Sequence, residues 1–364
     1  MRDKSTKNGV LKSIENGYIY IEYTFKLLKK EIKIVLKKKI TFTVVLLMIF
    51  SSIYSQEKLI TPTYLKKGDT IAIVAPAGIL KNRQATIQKA KKLAEKWGLN
   101  VVLGKNIFNN GQHFAGTDSE RCQDFQDALD NKNIKAIWSA RGGYGSVRIL
   151  DKLDFTKFKE NPKWVIGYSD ITAFHNHIHN LGFETIHGMM ATSLEEKPEE
   201  ITATISSFKK ALFGNEISYQ IPSAKHNRKG VIEGEIIGGN LAILASMLGS
   251  KSQLNTNGKI LFIEEIGEYK YSIDRMLQSL KRAGYFTKVK AVIIGNMTSI
   301  KKNSTKWGSS IEHLILDALP EDIPVLFNFP AGHEADNRAM IFGRNIKLTI
   351  NRSAKKSIVT FTKD

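Results

Sequence analysis

The sequence predicts an α/β protein with two domains. The N-terminal domain is expected to hold a parallel sheet of the Rossmann or flavodoxin kind, and the C-terminal domain to be a smaller, β-rich α/β unit. Three observations predict this. Short apolar runs alternate with amphipathic segments from Gly68 onward, the runs after about residue 234 are more β-rich, and a polar, charged stretch with Pro198 and Pro222 separates the two regions. We therefore expect domains over 57–194 and 235–364, joined by a linker over 195–234.

Four apolar runs in the first region are expected to form parallel strands: 70–75, 101–104, 135–140 and 163–168. Between the first two, apolar residues recur at helical spacing: Ile87, Ala90, Leu93, Ala94 and Trp97. A second helix can begin at Thr117 or Asp118 and run through Leu129, and a third should follow the fourth strand over 169–180. This alternation is typical of a parallel sheet covered by helices on both faces.

The second region predicts shorter elements after a glycine-containing run, GEIIGGNLAILASMLGS. We expect a strand over 259–268, a helix over 272–283, a strand over 289–296 and further strands around Val325, Ile341 and 346–350. No internal repeat is visible, so the two regions are two different folds.

Length and composition exclude several protein classes. The chain has 364 residues, 42% of them hydrophobic, so it can form real cores and is neither disordered throughout nor fibrous. Its single cysteine, Cys122, excludes an internal disulfide and a CxxC…CxxC zinc site. Its formal net charge is +19, but such a total says little until the charge is located.

The first 56 residues carry a large share of this charge. They hold eleven Lys and Arg and four acidic residues, a net of +7, which leaves +12 on the other 308 residues. Lys37–Lys39 precede an apolar run over 40–54 and small residues, a pattern that predicts an export signal cleaved after Ser55. The run is shorter than the roughly 20 residues of a membrane-spanning helix. We therefore expect an exported, periplasmic protein without a stable membrane anchor.

Two further features of this segment shape that expectation. No cysteine follows the apolar run, which argues against a lipoprotein. About 35 polar residues precede the signal, and this suggests that translation really begins near Val35 or Leu36.

The turn VIGYSDIT places Ser169 between an apolar strand and a helix N-terminus. A serine on such a turn is exposed at the carboxyl edge of the sheet, and the following amides can face a developing oxyanion. The last glycine of the GxSxG pattern is absent. The alternative is that Ser169 merely caps the helix.

The glycine turn RGGYGS, residues 141–146, also joins a strand to a helix. Its glycines permit close backbone approach to an anion, and Arg141 could clamp a substrate carboxylate with two parallel hydrogen bonds. The turn lacks the GxGxxG pattern, so it supports dinucleotide binding weakly. A plain glycine-rich turn with a surface arginine is the alternative.

Acid–base chemistry has candidates in two other segments. His333 lies in the small-residue loop FPAGHEADNRA, where a base could be accessible, although many loop histidines are simply solvated. In FIEEIGE, strand alternation points Glu264 and Glu265 to opposite faces, so one could reach a site while the other and Glu268 stay solvated. His187, after a short strand, could line a cleft.

Metal and nucleic-acid binding have little support. His175 and His179 stand four residues apart in HNHIHN, but no acidic residue of an HExxH motif lies between them, so a hydrated helix face is expected. We expect no metal and no cofactor. The lysines after residue 56 are scattered and no nucleic-acid motif is present, so no nucleic-acid partner is expected.

Together, six motifs in order resemble the LD-carboxypeptidase family of serine peptidases: GDTIAIVAPAG, AIWSARGGYGS, VIGYSDITAFH…IHG, GEIIGGNLAIL, KILFIEEIGEYKYSIDRML and FPAGHEADNRA. The resemblance covers about residues 65–350. It implies a catalytic triad of Ser169, Glu264 and His333, whose geometry would be that of other serine hydrolases. It also implies oxyanion contacts from the backbone amides of Gly143 and Asp170.

The resemblance further implies release of terminal D-alanine from peptidoglycan stem peptides, with diaminopimelate or lysine as the third residue. A free carboxylate would give Arg141 a task, and we expect His187 and Asn240 to bind substrate as well. A homodimer is a further expectation. Well-known members act in the cytoplasm on recycled fragments, whereas this chain has an export signal.

Two alternatives remain. One is an immunity-type serine hydrolase that resembles the microcin C resistance proteins and cleaves aminoacyl-nucleotide amides; export argues against it because such toxins act inside the cell. The other is a non-catalytic periplasmic binding protein, which has no need of Ser169, Glu264 and His333 together.

Overall fold

The structure is a computed structural model that describes residue 21 and residues 24–43, 59–353 and 355–363. The chain divides into two compact units, Met1–Lys58 and Leu59–Asp364. In the first unit, a helix (α1) covers residues 24–43. The predicted signal run over 40–54 lies mostly outside the described residues, as does Ser55. None of the described helices is both long and apolar enough to cross a membrane.

The second unit opens with a six-stranded sheet in the order β11-β5-β4-β3-β1-β2. Its strands are β1 (Thr70–Val74), β2 (Asn100–Leu103), β3 (Ile134–Ser139), β4 (Trp164–Gly167), β5 (Thr185–His187) and β11 (Met340–Phe342). The first five are parallel, and β11 pairs with β5 in the antiparallel direction. The expected parallel sheet is therefore confirmed, with one antiparallel edge strand added by the C-terminal region.

Helices cover both faces of this sheet: α2 (Gln84–Lys96), α3 (Asp118–Asp130), α4 (Ser146–Leu150), α5 (Thr156–Glu160) and α6 (Thr172–Asn180). Thr117 caps α3 in a reciprocal capping box with Glu120, which fixes the start of this helix. Neighbouring strand residues enter opposite cores: Ile73 packs in one and Val74 in the other. Such two-sided burial explains why the strands read as continuous apolar runs.

The second sheet has seven strands in the order β10-β9-β8-β7-β12-β13-β6. They are β6 (Ser218–Ile221), β7 (Gly230–Asn240), β8 (Ile260–Ile266), β9 (Ala291–Thr298), β10 (Val325–Leu326), β12 (Asn345–Ile350) and β13 (Ser357–Phe361). Strands β7 to β10 are parallel, whereas β12, β13 and β6 are antiparallel. Its helices are α8 (Leu241–Ser246), α9 (Lys270–Arg282) and α10 (Ile311–Ala318). The expected β-rich α/β architecture is confirmed.

The predicted linker over 195–234 contains regular structure. It holds α7 (Thr202–Leu212), strand β6 and the start of β7. Phe208 of α7 is fully buried and packs against Trp97 and Trp138 of the first sheet's layer. The position of the domain boundary stays a prediction.

Candidate active site

Ser169 stands on a sharp turn at the carboxyl end of β4. It opens a 3-10 helix, Ser169–Ile171, with a φ of 62°, in the left-handed region that costs energy for a serine. Gly167 precedes it where a Cβ atom would meet Ile171 at 2.7 Å. No side chain caps the 3-10 helix or α6, so the interpretation of Ser169 as a mere cap is wrong and its hydroxyl is available for another contact.

That contact is His333. The His333 Nε2 lies 2.9 Å from Ser169 Oγ, and its Nδ1 lies 2.7 Å from Glu264 Oε2. A carboxylate can only accept, so Nδ1 carries the proton and, in the neutral ring, Nε2 is free to accept the serine proton. The three residues come from β4, β8 and a loop that are distant in sequence, and the fold brings them into one chain of hydrogen bonds.

Glu264 is aimed at the histidine by an irregularity in β8. The register of β8 against β9 shifts between Ile263 and Glu265, and such bulges re-aim side chains near active sites. Glu264 is fully buried, and its Oε1 has no hydrogen-bond partner in the described chain. Its charge is therefore little screened by water and acts strongly on the His333 ring.

The sequence suggests that Glu265 is solvated, but its side chain is buried in the structure. It is 2% exposed and accepts hydrogen bonds from the backbone N–H groups of Ala242 and Ile266 and from Asn240 Nδ2. Burial raises the pKa of Glu265 to about 7. This carboxyl group binds β8 to the start of α8 on the side of the strand away from His333.

The loop that carries His333 is held by helix α7. Thr204 Oγ1 donates to Ala335 O at 2.7 Å and accepts from the Asn337 N–H at 2.8 Å. Asn337 Oδ1 in turn accepts from the Gly332 N–H at 3.1 Å. On the opposite side, the Tyr168 ring lies edge-on to the imidazole at 5.0 Å. These contacts fix the position of His333, which is only 13% exposed.

The glycine turn lies directly against Ser169. A Cβ atom on Gly142 would come within 3.1 Å of the Ser169 Cβ, so a side chain there would crowd the serine. Gly143 has a φ of 101°, which glycine adopts without strain. The Gly143 amide donates to no other backbone group of the described chain, and the Asp170 amide follows Ser169 in the first turn of the 3-10 helix, so both can face an oxyanion.

Two buried charges hold this turn in place. Asp170 is 1% exposed and accepts from the Ser146 N–H at 2.8 Å; burial raises the pKa of its carboxyl group. Arg121 is equally buried and donates to Pro76 O at 2.5 Å and Gly145 O at 3.0 Å. The turn is thus tied both to the serine turn and to the loop after β1.

Arg141 lies half-buried at the start of the glycine turn. Its Nη1 donates to Ile79 O at 2.5 Å, which leaves its other N–H groups for a ligand. Burial is the main cause that lowers the pKa of this guanidinium, and Arg83 adds to it. A negative partner would therefore be favourable here.

His187 and Asn240 are not on an open surface of the site. His187 is fully buried beside Tyr168, Phe262 and Phe342, and burial holds its pKa well below the ordinary value. Asn240 is 5% exposed; its Oδ1 accepts from the Ile243 N–H and caps α8, while its Nδ2 donates to Glu265. Neighbouring side chains fill the space around both residues. Both therefore lie behind the site and not on the surface that a substrate would reach.

The histidines of α6 are buried, so the expectation of a hydrated helix face is wrong. His175 donates from Nε2 to Gly167 O at 2.9 Å, His177 contacts Ser252, and His179 contacts Glu235. Burial lowers the pKa of His175 to about 4. Each ring has its own partner, and the described residues contain no group of three His, Cys, Asp or Glu side chains placed to hold a metal ion.

Sequence reasoning missed three residues that organise this site: Thr204, Arg121 and the side chain of Asp170. Thr204 stands in a stretch without any motif, and nothing local distinguishes it. Asp170 was considered only for its amide. Arg121 stands at helical spacing from Phe125 and Ala128 on the buried face of α3, and this was a usable signal because a buried charge needs dedicated partners.

Models of two protein families match this chain. The LD-carboxypeptidase N-terminal domain matches residues 71–188, and the LD-carboxypeptidase C-terminal domain matches residues 233–348. The first contains Ser169 and the glycine turn, and the second contains Glu264 and His333.

Curated relatives match over most of their length. A probable murein peptide carboxypeptidase of Bacillus subtilis is 33% identical over 302 residues, 82% of this chain and 93% of the relative. The murein tetrapeptide carboxypeptidase of Pseudomonas aeruginosa is 31% identical over 294 residues, 78% and 94% of the two chains. The microcin C7 self-immunity protein MccF of Escherichia coli is 30% identical over 331 residues, 81% and 94%.

Solved structures agree with these matches. The muramoyltetrapeptide carboxypeptidase of Oxalobacter formigenes superposes with a TM-score of 0.70 at 28% identity, over 80% of this chain and 98% of that one. An inactive mutant of MccF in the apo state gives 0.74 at 26% identity, over 84% and 98%. The residues matched by the two family models include Ser169, Glu264 and His333, and the chain belongs to the LD-carboxypeptidase family.

Proposed function

We propose that this protein is a serine LD-carboxypeptidase that releases terminal D-alanine from murein tetrapeptide, in peptidoglycan turnover or recycling. The bond cleaved would join the L-centre of diaminopimelate or lysine to D-alanine. The observation that carries the proposal is the continuous contact from Ser169 Oγ to His333 Nε2 and from His333 Nδ1 to Glu264 Oε2, at 2.9 and 2.7 Å. Relatives named as murein peptide carboxypeptidases support the substrate class.

In this mechanism Ser169 is the nucleophile. His333 takes its proton as the hydroxyl attacks the carbonyl carbon, and then gives that proton to the leaving amine of D-alanine. Glu264 holds the ring orientation and stabilises the imidazolium that forms. Water then attacks the acyl-enzyme, with His333 again as the base, and Ser169 is regenerated.

The oxyanion of the tetrahedral intermediate would be held by the backbone amides of Gly143 and Asp170. Their support is the closeness of the glycine turn to Ser169 and the place of Asp170 directly after the serine. Pre-oriented amides are effective because they need no reorganisation as charge develops. Arg141, on the same turn, would bind the free carboxylate of D-alanine. His187 and Asn240 would not contact the substrate directly, since both are buried behind the site.

The alternative is an immunity-type hydrolase that cleaves aminoacyl-nucleotide amides. The 30% identity to MccF favours it, since the same triad could attack either amide. The proposed export argues against it, because such a substrate would be found inside the cell. Incubation with an aminoacyl sulfamoyl adenosine, of the kind bound in one MccF structure, tests this alternative directly.

The surroundings of the enzyme are part of the proposal. Lys37–Lys39 and the apolar run over 40–54 support export to the periplasm with cleavage near Ser55. We place the nucleophile domain at 57–194, a connecting segment at 195–234 and the domain of the glutamate and histidine at 235–364. A homodimer is proposed as well. N-terminal sequencing of the secreted protein tests the cleavage site.

The test of the activity is D-alanine release by the purified full-length protein from L-Ala-γ-D-Glu-meso-diaminopimelate-D-Ala. Ser169→Ala should lower kcat about 10⁴-fold or more, and Glu264→Gln roughly 10³-fold to 10⁴-fold. Ser206→Ala, on the exposed side of α7, is the matched control and should leave kcat unchanged. No release by the wild type would refute the proposed activity, and equal release by Ser169→Ala would refute the triad.

A further inference from the structure

Two neighbouring loops of the second sheet carry a cluster of basic residues. The first, residues 223–229, lies between β6 and β7, and the second, residues 351–356, joins β12 to β13. We call them the basic loops. They contain no acidic residue and hold six lysine and arginine side chains: Lys225, Arg228, Lys229, Arg352, Lys355 and Lys356. All of these except Arg228 are exposed.

The basic loops are held together by a buried side chain. Asn227 is 2% exposed; its Nδ2 donates to Asn351 O at 2.7 Å, and its Oδ1 accepts from the Phe327 N–H at 2.9 Å. Arg352 Nε also donates to Lys225 O at 3.0 Å. Charges that are more than 100 residues apart in the sequence are therefore fixed on one surface.

No carboxylate among the described residues forms an ion pair with these six charges. Arg228 donates to Leu316 O at 3.1 Å and to Pro320 O at 2.6 Å, at the C-terminal end of α10. Lys356 Nζ donates to Gln220 Oε1 at 3.4 Å. Their described partners are thus neutral, so the positive potential extends into solvent, where an anion can approach.

Exposed apolar side chains adjoin the basic loops. Val231 on β7 is 85% exposed and Ile358 on β13 is 41% exposed. Both stand opposite Thr349 of β12, so the three form a row across one face of the sheet. The next row of this face carries Glu233 and Lys347, which pair with each other at 3.9 Å. That row adds no net charge, and the excess positive charge stays at the basic loops.

The basic loops lie at the end of β7 away from the candidate active site. Strand β7 begins at Gly230, directly after the first loop, and its last residue, Asn240, stands beside Glu264 of β8. A strand of eleven residues spans up to about 35 Å. A large flat surface can therefore contact the basic loops and leave the site open.

We propose that the basic loops, together with Val231 and Ile358, dock reversibly on an anionic phospholipid bilayer. Each lysine or arginine close to an anionic leaflet strengthens binding about fivefold. Apolar side chains at the same place favour a bilayer over a soluble polyanion, because only a bilayer offers an apolar interior. The candidate active site then faces away from the membrane. This docking goes beyond the proposed function and does not depend on it.

Cosedimentation of the full-length protein with vesicles tests the inference. The protein should bind vesicles of phosphatidylglycerol and phosphatidylcholine in equal parts about tenfold or more tightly than vesicles of phosphatidylcholine alone. Lys355→Gln with Lys356→Gln should weaken binding to the anionic vesicles about tenfold or more. Val231→Thr, at a position too exposed to matter for the fold, should weaken it roughly threefold.

Lys209→Gln with Lys210→Gln is the matched control. These two exposed lysines at the end of α7 are also consecutive in the sequence, so their replacement removes the same charge from another surface. Binding to the anionic vesicles should then stay within about twofold of the wild type, because charges far from the contact are screened by salt.

Acetylation of lysines, followed by mass spectrometry, locates the contact without any variant. The lysines of the basic loops should be protected on anionic vesicles, whereas Lys209 and Lys210 should react as they do in solution. The inference would be overturned by absent binding, by equal binding to both kinds of vesicle, by protection confined to other lysines, or by undiminished binding after Lys355→Gln with Lys356→Gln. Tighter binding to soluble polyphosphate than to the anionic vesicles would also overturn it. D-alanine release bears on the proposed function alone.

Discussion

At the scale of single residues, neighbouring groups hold the side chains of the site in fixed conformations. Ser169 takes a left-handed φ that only a crowded turn maintains. His333 is held between Glu264 and Tyr168, and burial raises the pKa of Tyr168 to about 12, so it stays a neutral phenol. Little reorganisation would then be left for the proposed reaction, in which Ser169, His333 and Glu264 act together.

His175 gives a pH-dependent prediction, since burial lowers its pKa to about 4 in the folded protein from 6.5. Between pH 6.5 and 4 the unfolded chain binds a proton that the folded chain does not, so stability falls as pH decreases through this range. His175→Gln can still donate to Gly167 O but does not titrate. Between pH 6.5 and 4, the unfolding free energy of the wild type should fall by about 3 kcal/mol more than that of this variant.

The pH dependence of stability has to be compared between the wild type and His175→Gln, because the titration of Glu265 changes the stability of both proteins in the opposite direction. Burial raises its pKa to about 7, so its contribution weakens the fold as pH rises from about 4.5 to 7. Urea unfolding at several pH values measures both chains, and His113→Gln, an exposed histidine, is the control. Parallel curves for wild type and His175→Gln would contradict the prediction.

At the scale of elements, helix α7 supports the loop that carries His333, although this helix lies in the predicted linker. Thr204→Val keeps the branched shape of the side chain but removes both hydrogen bonds to the loop, so that Ala335 O and the Asn337 N–H keep only the bond to each other at 3.1 Å. We expect a loss of about 1–3 kcal/mol in unfolding free energy and a fall in kcat of roughly tenfold with little change in KM. Thr204→Ser should restore both.

The control for this prediction is Thr202→Val, two residues earlier on the exposed face of α7, whose hydroxyl donates only to Pro198 O. Tm and the rate of D-alanine release are measured for all four proteins. A Thr204→Val protein with the stability and kcat of the wild type would show that α7 does not position His333.

The elements that the sequence predicted well are those with local signals. Strands β1, β3 and β4 are buried apolar runs, and α3 carries its own cap at Thr117. Elements set by distant contacts could not be read in this way. Strand β11 is three residues long and belongs to the first sheet only because Met340 pairs with His187, and α7 acts on a loop more than 120 residues away.

The same division holds for the site. Ser169 and His333 were candidates because each stands in a turn or loop with its own signal, whereas the choice of Glu264 over Glu265 came from the resemblance to the LD-carboxypeptidase family. The placement of His187 and Asn240 behind the site, and the burial of Glu265, depend on how two sheets pack, and this leaves no periodic signal in the chain.

At the scale of the whole molecule, residues 59–364 form one compact unit in which both sheets contribute to the site. A buried ion pair ties them together. Arg344, on the turn between β11 and β12, donates from Nε to Glu184 Oε1 at 2.7 Å and from Nη1 to the Tyr64 hydroxyl at 2.8 Å. Both charged residues are at most 5% exposed, so each depends on the other for compensation.

Removing one charge of this pair should therefore cost more than removing both. Arg344→Met leaves Glu184 buried without its charge partner, and we expect a loss of about 3–5 kcal/mol in unfolding free energy. The double variant Arg344→Met, Glu184→Met fills the same space with apolar atoms and should recover most of that loss. Urea unfolding followed by fluorescence and circular dichroism measures it, with the exposed Arg352→Met as control. The pair joins the edge of one sheet to the start of a strand in the other, so fluorescence and circular dichroism should report a single unfolding transition. Two separate transitions would contradict the role given to this pair. A double variant as unstable as Arg344→Met would contradict it as well.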